Sequence, residues 1–395
     1  MSLVTDLDAP LASPTRPVSG AAASRPLPPR DEVIAASRRI ARGPLAELAA
    51  DIDRGLYPKA VLQQLGAAGA FALHLQHGGR PGDYGAAIAA MAEVSQVCGA
   101  TGFMVWCQQA CGLYLDASDN AALHGDLLDA QASGAQLGGT ALSNPMKALA
   151  GIEPLLLHAR RVAGGYVVSG ALPWVSNLGP DHQFGAVAQV DGEPGHEIMF
   201  LVRCDAPGVT LRECPSFAGM EGTGTYALRL QDHVVAQQRL IADPLRPYVQ
   251  RIRSAFILLQ MGMGIGVTQA AISSMRDVEG PLGHVNRYLQ DRPDELQAEL
   301  DALGARIFEL ARTPFETATD HAIDVLDARA EAAELCLRAA QSALLHQGAR
   351  GYLMSSPVQR RVRESHFVAI VTPAIKHLRK EIARLQAPVL PSVAA

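Results

Sequence analysis

The chain has 395 residues, of which 48% are hydrophobic and 18% charged, so it can bury a large core and form two or three packed units. Its formal net charge of -5 excludes a chain-wide basic field of the kind that attracts nucleic acid or anionic membranes. Apolar runs are interrupted before they reach the roughly 20 residues of a membrane span, and no signal peptide opens the chain, so we expect a cytoplasmic protein.

The first two segments in chain order differ in composition. Residues 1–30 are rich in Pro, Ala and Ser without apolar periodicity, which indicates a flexible leader. From residue 31 to 134, apolar residues recur at spacings of three and four, for example at Val61, Leu62 and Leu65. This pattern predicts an N-terminal helical domain over 31–134.

The middle segment, residues 135–244, is typical of β-structure. Short runs rich in Val, Ile, Leu and Tyr alternate with turns such as residues 191–195 and 205–208, which contain Gly, Pro and Asp. We therefore predict a small β-barrel or sandwich in this part of the chain.

Helical periodicity returns in the last segment, residues 245–395. It predicts helices over 248–278, 293–312, 315–346 and 357–370, with breaks at Gly280–Pro281 and Gly348–Gly351. The order helix, sheet, helix lacks the alternation of a dinucleotide-binding fold, so we interpret Gly262, Gly264 and Gly266 as sites of close helix packing.

The six cysteines predict no special chemistry. They include no CxxC pair and no Cys/His cluster at metal-ligand spacing, so the sequence predicts neither a disulfide framework nor a metal site. Cys107 and Cys111 lie four residues apart, as neighbours on one helix face do, and are interpreted as small core residues.

The stretch from Gly164 to Asn177 carries the most specific signal. A Gly-Gly turn opens an apolar strand that ends in Trp174-Val175-Ser176-Asn177. This stretch resembles the middle domain of the acyl-CoA dehydrogenase superfamily. The resemblance implies that Trp174 packs against a flavin ring and that the hydroxyl of Ser176 lies near the reactive nitrogen of that ring.

Further motifs in the same order extend the resemblance over about residues 50–385. Thr140–Pro145 resembles a segment that binds the flavin pyrimidine edge, with Ser143 as the hydroxyl, and Arg276 resembles an arginine that reaches the FAD phosphate across a subunit interface. Gln347, Gly348 and Gly351 resemble a loop that contacts the flavin adenine. The resemblance implies an α+β acyl-CoA dehydrogenase-like fold with an N-terminal helical domain, a middle β-barrel and a C-terminal four-helix bundle. It also implies FAD, with FMN as the alternative, and a homotetramer or homodimer.

The predicted catalytic residues depart from the family pattern. Dehydrogenation needs a carboxylate base, and the position where most of the family carries a glutamate falls on Thr372. The earlier position that a minority uses falls within the glycines of residues 262–266. We therefore name His366, Thr372 and Gln108 as candidate catalytic residues.

Three functions remain open at this stage. The first is an FAD-dependent oxidoreductase acting on an acyl thioester or a related small substrate, with an electron-transfer flavoprotein as partner. The second is a monooxygenase that takes reduced flavin from a reductase and hydroxylates carbon, nitrogen or sulfur with O2. The third is a non-catalytic binding module built on the same fold.

Overall fold

The computed structural model describes residues 27–76 and 81–387. The predicted leader therefore lies almost entirely outside the described residues. Within them the chain forms a helical region, a β-sheet and a second helical region, in the order that the sequence predicts.

The N-terminal region is built around one buried helix. Nearly every residue of α5 is inaccessible to solvent, and the other helices pack on it or on its neighbour α4. The capping carboxylate of Asp83 accepts the N–H of Ala86 at 2.8 Å and so starts α4. The helices are α1 (Arg30–Ile40), α2 (Ala46–Asp53), α3 (Lys59–Ala67), α4 (Tyr84–Ser95), α5 (Gly99–Asp116) and α6 (Asp126–Ala132), with a π-helical turn at Ala41–Leu45.

The middle region is an eight-stranded sheet with one short helix, α7 (Ser143–Leu149), after its first strand. The strands are β1 (Gly138–Thr140), β2 (Leu157–Val162), β3 (Gly165–Val175), β4 (Gln183–Val190), β5 (Glu197–Arg203), β6 (Val209–Glu213), β7 (Tyr226–Ala236) and β8 (Leu240–Ala242). Gly164, at φ 78°, makes the tight turn between β2 and β3.

The predicted middle β-domain is present as an open sheet. The strand order is β6-β7-β3-β2-β4-β5-β8, with β1 paired to β4, and within the described residues β6 and β8 are its edges. Strand β8 has 3 residues and pairs with β5 at only two positions before the chain turns into the next helix. So short an edge strand offers too few hydrogen bonds to close a barrel.

The C-terminal region is a four-helix bundle of α9, α11, α12 and α13, with shorter helices around it. The helices are α8 (Leu245–Leu259), α9 (Met261–Arg276), α10 (Glu279–Asn286), α11 (Pro293–Leu310), α12 (Thr319–Gln347), α13 (Pro357–Ile370) and α14 (Ile375–Gln386). The predicted break at Gly280–Pro281 is instead the first turn of α10, where proline is tolerated because no backbone N–H is needed.

The predicted packing role of the α9 glycines is confirmed by contacts. A methyl group added at Gly262 would lie 2.7 Å from the carbonyl oxygen of Ile88, and one at Gly266 would lie 2.4 Å from that of Ala92. Both carbonyls belong to α4. The glycines therefore let α9 approach α4 closely enough for backbone contact.

The stretch Leu245–Arg276, which contains α8 and α9, is apolar enough to match a membrane span by length and composition alone. However, 89% of its most apolar window is buried inside the protein. It therefore has the surroundings of a core helix pair.

Five of the six cysteines are buried, and all six are free. Desolvation raises the pKa of the Cys111 thiol to about 12. A thiol this protonated is a weak nucleophile, as expected for a core-filling residue.

Two carboxylates hold His196 on the outside of the sheet. Its two ring nitrogens contact Glu193 and Asp243, and the Asp243 contact is 2.6 Å long. The hydrogen bond that His196 donates to Asp243, followed by the one to Glu193, raises the pKa of His196 above its ordinary value. The contact joins the β4–β5 turn to the start of α8.

We expect His196→Gln to destabilise the protein by about 1 kcal/mol in mild acid and by less in alkali. Because the folded pKa is raised, the stabilisation is complete below the unfolded pKa of about 6.5 and disappears as the pH rises through the folded pKa. Urea unfolding at several pH values measures this. His158→Gln, which removes an exposed His–Asp pair, is the matched control. A difference that grows with pH would contradict the assignment.

Candidate functional site

An isolated β-bridge brings together the two segments that carry the first group of predicted cofactor-binding residues. Thr140, at the end of β1, bridges to Ser176, just past the end of β3. The Tyr114 hydroxyl from the core helix α5 contacts Thr140 Oγ1 at 2.7 Å and fixes the end of β1. The bridge brings the segment that leads to Ser143 beside the strand end that carries Trp174.

Trp174 is exposed at this strand end. Its relative accessibility is 59%, which is high for so large an apolar side chain, and it contacts the ring of Phe217 in a T-shaped arrangement at 6.5 Å. The register of β3 against β7 shifts between Leu172 and Val175, so regular pairing is interrupted at Trp174. The indole therefore offers an open aromatic face beside hydroxyl groups.

A chain of hydroxyls orients Ser176. Ser176 Oγ contacts Thr225 Oγ1 at 2.7 Å, and Thr225 Oγ1 contacts Thr223 Oγ1 at 2.8 Å. The Thr223 hydroxyl donates to the carbonyl oxygen of Met220 at 2.7 Å, which sets the direction of its proton. The Ser176 hydroxyl is thus held by a defined network.

The loop between α13 and α14 reaches this group from the helical bundle. Ser143 Oγ and Thr372 Oγ1 are 2.9 Å apart, so two residues that are predicted separately meet across 229 positions of sequence. Thr372, at the position where most of the family carries a carboxylate base, therefore has a hydroxyl that is hydrogen-bonded to another hydroxyl.

A buried arginine stabilises the Thr372 loop through Gln260. Gln260, between α8 and α9, donates to the carbonyl oxygen of Thr372 at 2.9 Å and accepts from Arg329 Nε at 3.0 Å. Arg329 also donates to the carbonyl oxygen of Val368 at 2.7 Å, near the C-terminus of α13. Desolvation lowers the pKa of the Arg329 guanidinium to about 10, so it stays charged at neutral pH.

The segment after Ser143 is fixed by its own side chains. Asn144 donates to Glu153 Oε1 at 2.8 Å and accepts the N–H of Leu156 at 3.0 Å. Lys147 forms an ion pair with the same Glu153 carboxylate. Lys147 is therefore already neutralised within the chain.

A cavity of about 410 Å³ is lined by residues of four helices. It lies between α7, which begins at Ser143, and α14, which follows Thr372, and α8 and the start of α12 complete its wall. The residues that line it are Met146, Leu149, Ala150, Arg246, Val249, Gln250, Arg253, Ser254, Glu316, Thr317, Thr319, Ala322, His377, Glu381, Arg384 and Leu385.

Ion pairs organise the polar side of this cavity. Glu381 Oε2 accepts from Arg253 at 3.4 Å and from Arg384 at 3.0 Å. One turn earlier on α14, His377 is buried, and desolvation lowers its pKa, so the imidazole is neutral at pH 7. Arg246 pairs outside this cluster with Glu197 on β5.

The remaining predicted cofactor residues lie at the opposite end of α9. Arg276 pairs with Asp294 at 3.1 Å, and Gln347 donates to the carbonyl oxygen of Ser274 at 2.8 Å. Gly348, at φ 61°, ends α12 next to them, with Gly351 one turn later. Because α9 has 16 residues, this group is about 24 Å from the Gln260 end.

Two predicted catalytic residues have surroundings that do not favour that role. Gln108 donates to the carbonyl oxygens of Gln131 and Gln136 and accepts the N–H of Gly138, so its amide is fully used in joining α5 to β1. His366 lies on the exposed face of α13. Of the predicted catalytic residues, Thr372 is the one in contact with a predicted flavin residue.

The site also contains residues that the sequence prediction missed. Gln260, Arg329, Arg253 and Glu381 support the loop or line the cavity, and none of them belongs to a motif. Glu381 had a weak signal, because it is the only acidic residue in a helix with five basic ones, Lys376, His377, Arg379, Lys380 and Arg384. Arg329 lies in an alanine-rich stretch of α12, and its apolar neighbours predict that this part of the helix is buried.

Comparison with known proteins gives a consistent family. The chain matches the family model described as acyl-CoA dehydrogenase, N-terminal domain over residues 30–135, and the one described as acyl-CoA dehydrogenase, C-terminal domain over residues 289–372. It is 23% identical to a probable acyl-CoA dehydrogenase, YngJ, of Bacillus subtilis, over 87% of this chain and 94% of that protein. It is 25% identical to the human mitochondrial short-chain specific acyl-CoA dehydrogenase, over 84% of each chain.

Solved structures share the whole fold. Butyryl-CoA dehydrogenase from Megasphaera elsdenii superposes with a TM-score of 0.79 at 17% identity, over 90% of this chain and 97% of that one. Dibenzothiophene monooxygenase TdsC from Paenibacillus sp. A11-2 superposes with a TM-score of 0.76 at 15% identity, over 89% and 96%. The fold is thus common to a dehydrogenase and a monooxygenase.

Proposed function

The chain belongs to the acyl-CoA dehydrogenase superfamily of flavin-dependent oxidoreductases, and from this premise we propose that it uses reduced flavin and O2 to hydroxylate a small substrate. The observation that carries the proposal is that Thr372, at the position where most of the family carries a glutamate, is hydrogen-bonded to the hydroxyl of Ser143. FAD is the proposed cofactor, with FMN as the alternative.

The residues beside Trp174 fit a flavin ring. An isoalloxazine has a flat apolar face and a polar edge. Trp174 offers an exposed indole two residues before the ordered hydroxyl of Ser176, and Ser143 and Thr372 add a second hydroxyl pair. These four residues would hold the ring. A bound flavin supplies hydride transfer when oxidised and reaction with O2 when reduced.

We expect Trp174→Ala to weaken flavin binding at least tenfold, because an exposed aromatic face contributes about 1.5 kcal/mol or more when a ring covers it. The unfolding free energy of the flavin-free protein should change little, since the indole has few contacts of its own. Phe308→Ala, which also removes a partly exposed aromatic ring, is the control. Equal flavin affinity in the Trp174 variant and the wild type would contradict the assignment.

A base for α-proton removal is not available from the cavity either. Glu381 is held by two guanidinium groups, and Glu316 accepts the backbone N–H groups of Thr317 and Ala318. The hydrogen bonds from the N–H groups of Ala318 and Thr317 lower the pKa of Glu316, so its carboxylate is a weak base. Oxygenation needs no such base, and hydroxyls such as those of Ser143 and Thr372 can donate a hydrogen bond to a polar group of a bound substrate.

Acyl-thioester dehydrogenation is the second candidate. It is supported by the relatives, since YngJ and the human protein are named acyl-CoA dehydrogenases, and each aligns over more than four fifths of this chain. In that case the electron acceptor would be an electron-transfer flavoprotein. For oxygenation the partner would instead be a flavin reductase.

One pair of experiments separates the candidates. Anaerobic addition of butyryl-CoA, isovaleryl-CoA or octanoyl-CoA should leave the visible flavin absorbance unchanged, and bleaching by any of them would establish dehydrogenation. Reduction by NADH and a flavin reductase, followed by isotopically labelled O2 in place of air, should give product that carries the label. Purified protein that takes up neither FAD nor FMN would favour a non-catalytic binding module and contradict both candidates.

We further propose that two copies of the chain complete the flavin site. Arg276, Gln347 and Gly348 lie about a helix length from the end of α9 at which Gln260 holds the Thr372 loop, so a second copy would supply this group to the flavin beside Thr372. An exposed apolar surface lies around the same end of the bundle, where Asn286 of α10 binds the carbonyl oxygen of His346. Its members are Val285, Tyr288, Leu345, Tyr352, Leu353 and Met354.

We expect Met354→Asp to dissociate the oligomer and to reduce flavin retention, because a buried unpaired carboxylate at an interface is costly. Light scattering coupled to gel filtration measures the first effect and flavin absorbance the second. The control, Val234→Asp, changes a similarly exposed apolar residue on β7, outside this surface. A wild-type monomer that retains flavin would overturn the proposal.

A further inference from the structure

The chain of hydroxyls behind Ser176 has a fixed direction at its far end. Thr223 is 2% exposed, and its hydroxyl lies 2.7 Å from the carbonyl oxygen of Met220. A carbonyl oxygen only accepts, so the single proton of the Thr223 hydroxyl lies in this hydrogen bond. Toward the rest of the chain Thr223 Oγ1 is therefore an acceptor.

This direction passes from one hydroxyl to the next. Thr225 Oγ1 is 2.8 Å from Thr223 Oγ1, and because the Thr223 proton is already used, Thr225 is the donor. Ser176 Oγ is 2.7 Å from Thr225 Oγ1, and by the same count Ser176 is the donor in that contact. All three protons therefore lie on the Met220 side of their oxygen atoms.

Ser176 consequently presents lone pairs to a ligand. Within the part of the chain that the structure describes, its Oγ has no hydrogen bond other than the one to Thr225. The residue is partly exposed, whereas Thr223 is buried. Because a hydroxyl has one proton and two acceptor lone pairs, a ligand at this strand end meets a hydrogen-bond acceptor at Ser176.

The loop that carries the two threonines is held against the turn after α2. A methyl group added at Gly222 would lie 2.4 Å from the carbonyl oxygen of Ile52. One added at Gly224 would lie 3.0 Å from the ring of Tyr57. The loop cannot shift without moving that turn, so the hydrogen bond to Met220, which sets the direction of the protons, keeps its geometry.

We propose that Ser176 makes the site select reduced flavin over oxidised flavin, by accepting a hydrogen bond from the N5–H group that the reduced ring carries. In the oxidised ring N5 has a lone pair and no hydrogen, so it would face the lone pairs of Ser176 Oγ. One form gains a hydrogen bond and the other leaves two acceptors facing each other. We expect this difference to favour the reduced form at least tenfold in affinity.

This inference deepens the proposed function, on which it rests for the placement of a flavin ring beside Ser176, by naming the form of the flavin that the site takes. A site that binds reduced flavin more tightly suits a protein that receives its flavin already reduced from a reductase. Thr223 and Thr225 are positioning residues in this account, because they act on the flavin through Ser176.

The first test compares oxidised FAD with oxidised 5-deaza-FAD, in which a C–H group replaces N5. Flavin-free full-length protein is titrated with each, and the affinities are compared. We expect them to agree within about threefold, because Ser176 offers no proton to N5. Binding of FAD tenfold tighter than that of the 5-deaza analogue would show that a donor faces N5 and would overturn the proposal.

The second test removes the hydroxyl that sets the direction. In Thr223→Val the side chain keeps its shape, but Thr225 becomes free to donate to Ser176, whose own proton then becomes available to the oxidised ring. We expect the ratio of the affinities for reduced and oxidised flavin to fall about tenfold, which lowers the midpoint potential of the bound flavin by about 30 mV. Thr223→Ser keeps a hydroxyl and should retain the wild-type potential.

Ser37→Ala is the control for these variants. Ser37 is a buried residue of α1 whose hydroxyl likewise donates to a backbone carbonyl oxygen, so its loss should leave the potential unchanged. A purely structural role of Thr223 would weaken the binding of both redox forms equally, and an unchanged potential in Thr223→Val would therefore overturn the proposal. If that variant does not fold, the comparison of FAD with 5-deaza-FAD in the wild type still decides.

These measurements need neither a substrate nor O2. Preference for reduced flavin without labelled product would contradict the proposed function and leave this inference standing. Labelled product from a protein that binds FAD tenfold more tightly than 5-deaza-FAD would support the proposed function and overturn this inference. Protein that takes up no flavin would contradict both.

Discussion

Gly266→Ala should lower the free energy of unfolding by roughly 2 to 3 kcal/mol, although alanine is the better helix former. The added methyl group would lie 2.4 Å from the carbonyl oxygen of Ala92 and 2.5 Å from Cβ of Ser95. Neither group can move without shifting α4 away from α9. Because α4 packs on α5 and α8 as well, the displacement would spread through the core.

Gly304→Ala is the matched control, and urea unfolding monitored by circular dichroism is the measurement. Gly304 lies in the helix α11, and a methyl group there would meet no atom within 4 Å. We expect that variant to gain about 0.5 to 1 kcal/mol from helix propensity. Two variants of equal stability would show that α9 and α4 do not pack at the glycines.

Arg363→Met should destabilise the protein by about 3 kcal/mol, because it leaves the carboxylate of Asp53 in a partly buried position without its partner. The guanidinium binds both oxygens of Asp53, at 2.8 and 2.6 Å, and also donates to the carbonyl oxygen of Ala218. It thereby joins three separate parts of the chain, α13, α2 and the loop before β7. The Thr372 loop follows α13, so flavin retention should fall as well.

Arg312→Met controls for the loss of an arginine. Arg312 and Glu309 form an ion pair within one helix end, with side chains 74% and 73% exposed. Such pairs contribute about 0.5 kcal/mol or less, since water screens them. Chemical unfolding at low and high salt measures the loss of unfolding free energy in both variants. Similar losses for Arg363→Met and Arg312→Met would contradict the assignment.

Local pattern was sufficient to predict the kinds of structure and their order. Helix α13 begins at Pro357 and ends at Ile370, as its periodicity and the flanking Pro and Gly residues predict. The Gly164–Gly165 turn and the strand that follows were likewise recognisable, because turn residues and alternation act within a few positions. The openness of the sheet could not be predicted from local pattern. It depends on whether β6 and β8 pair with each other, and these strands are far apart in sequence.

The site was only partly predictable for a similar reason. Ser143, Trp174 and Thr372 could be named from motifs, but the contact between Ser143 and Thr372 joins segments 229 positions apart. Glu381 and Arg253 acquire their role from a cavity that four helices form together. No local sequence pattern predicts such a cavity, because it forms only where α7, α8, α12 and α14 pack together.

The central claim is that, among the described residues, the proposed flavin site lacks the carboxylate base that acyl-CoA dehydrogenation needs. Anaerobic titration of the flavin-loaded protein with butyryl-CoA, isovaleryl-CoA and octanoyl-CoA tests it most directly. We predict that the visible absorbance of the flavin stays constant at every thioester concentration, while NADH and a flavin reductase still give a reduced protein that reoxidises in air. Stoichiometric bleaching by any of the three thioesters would contradict the claim.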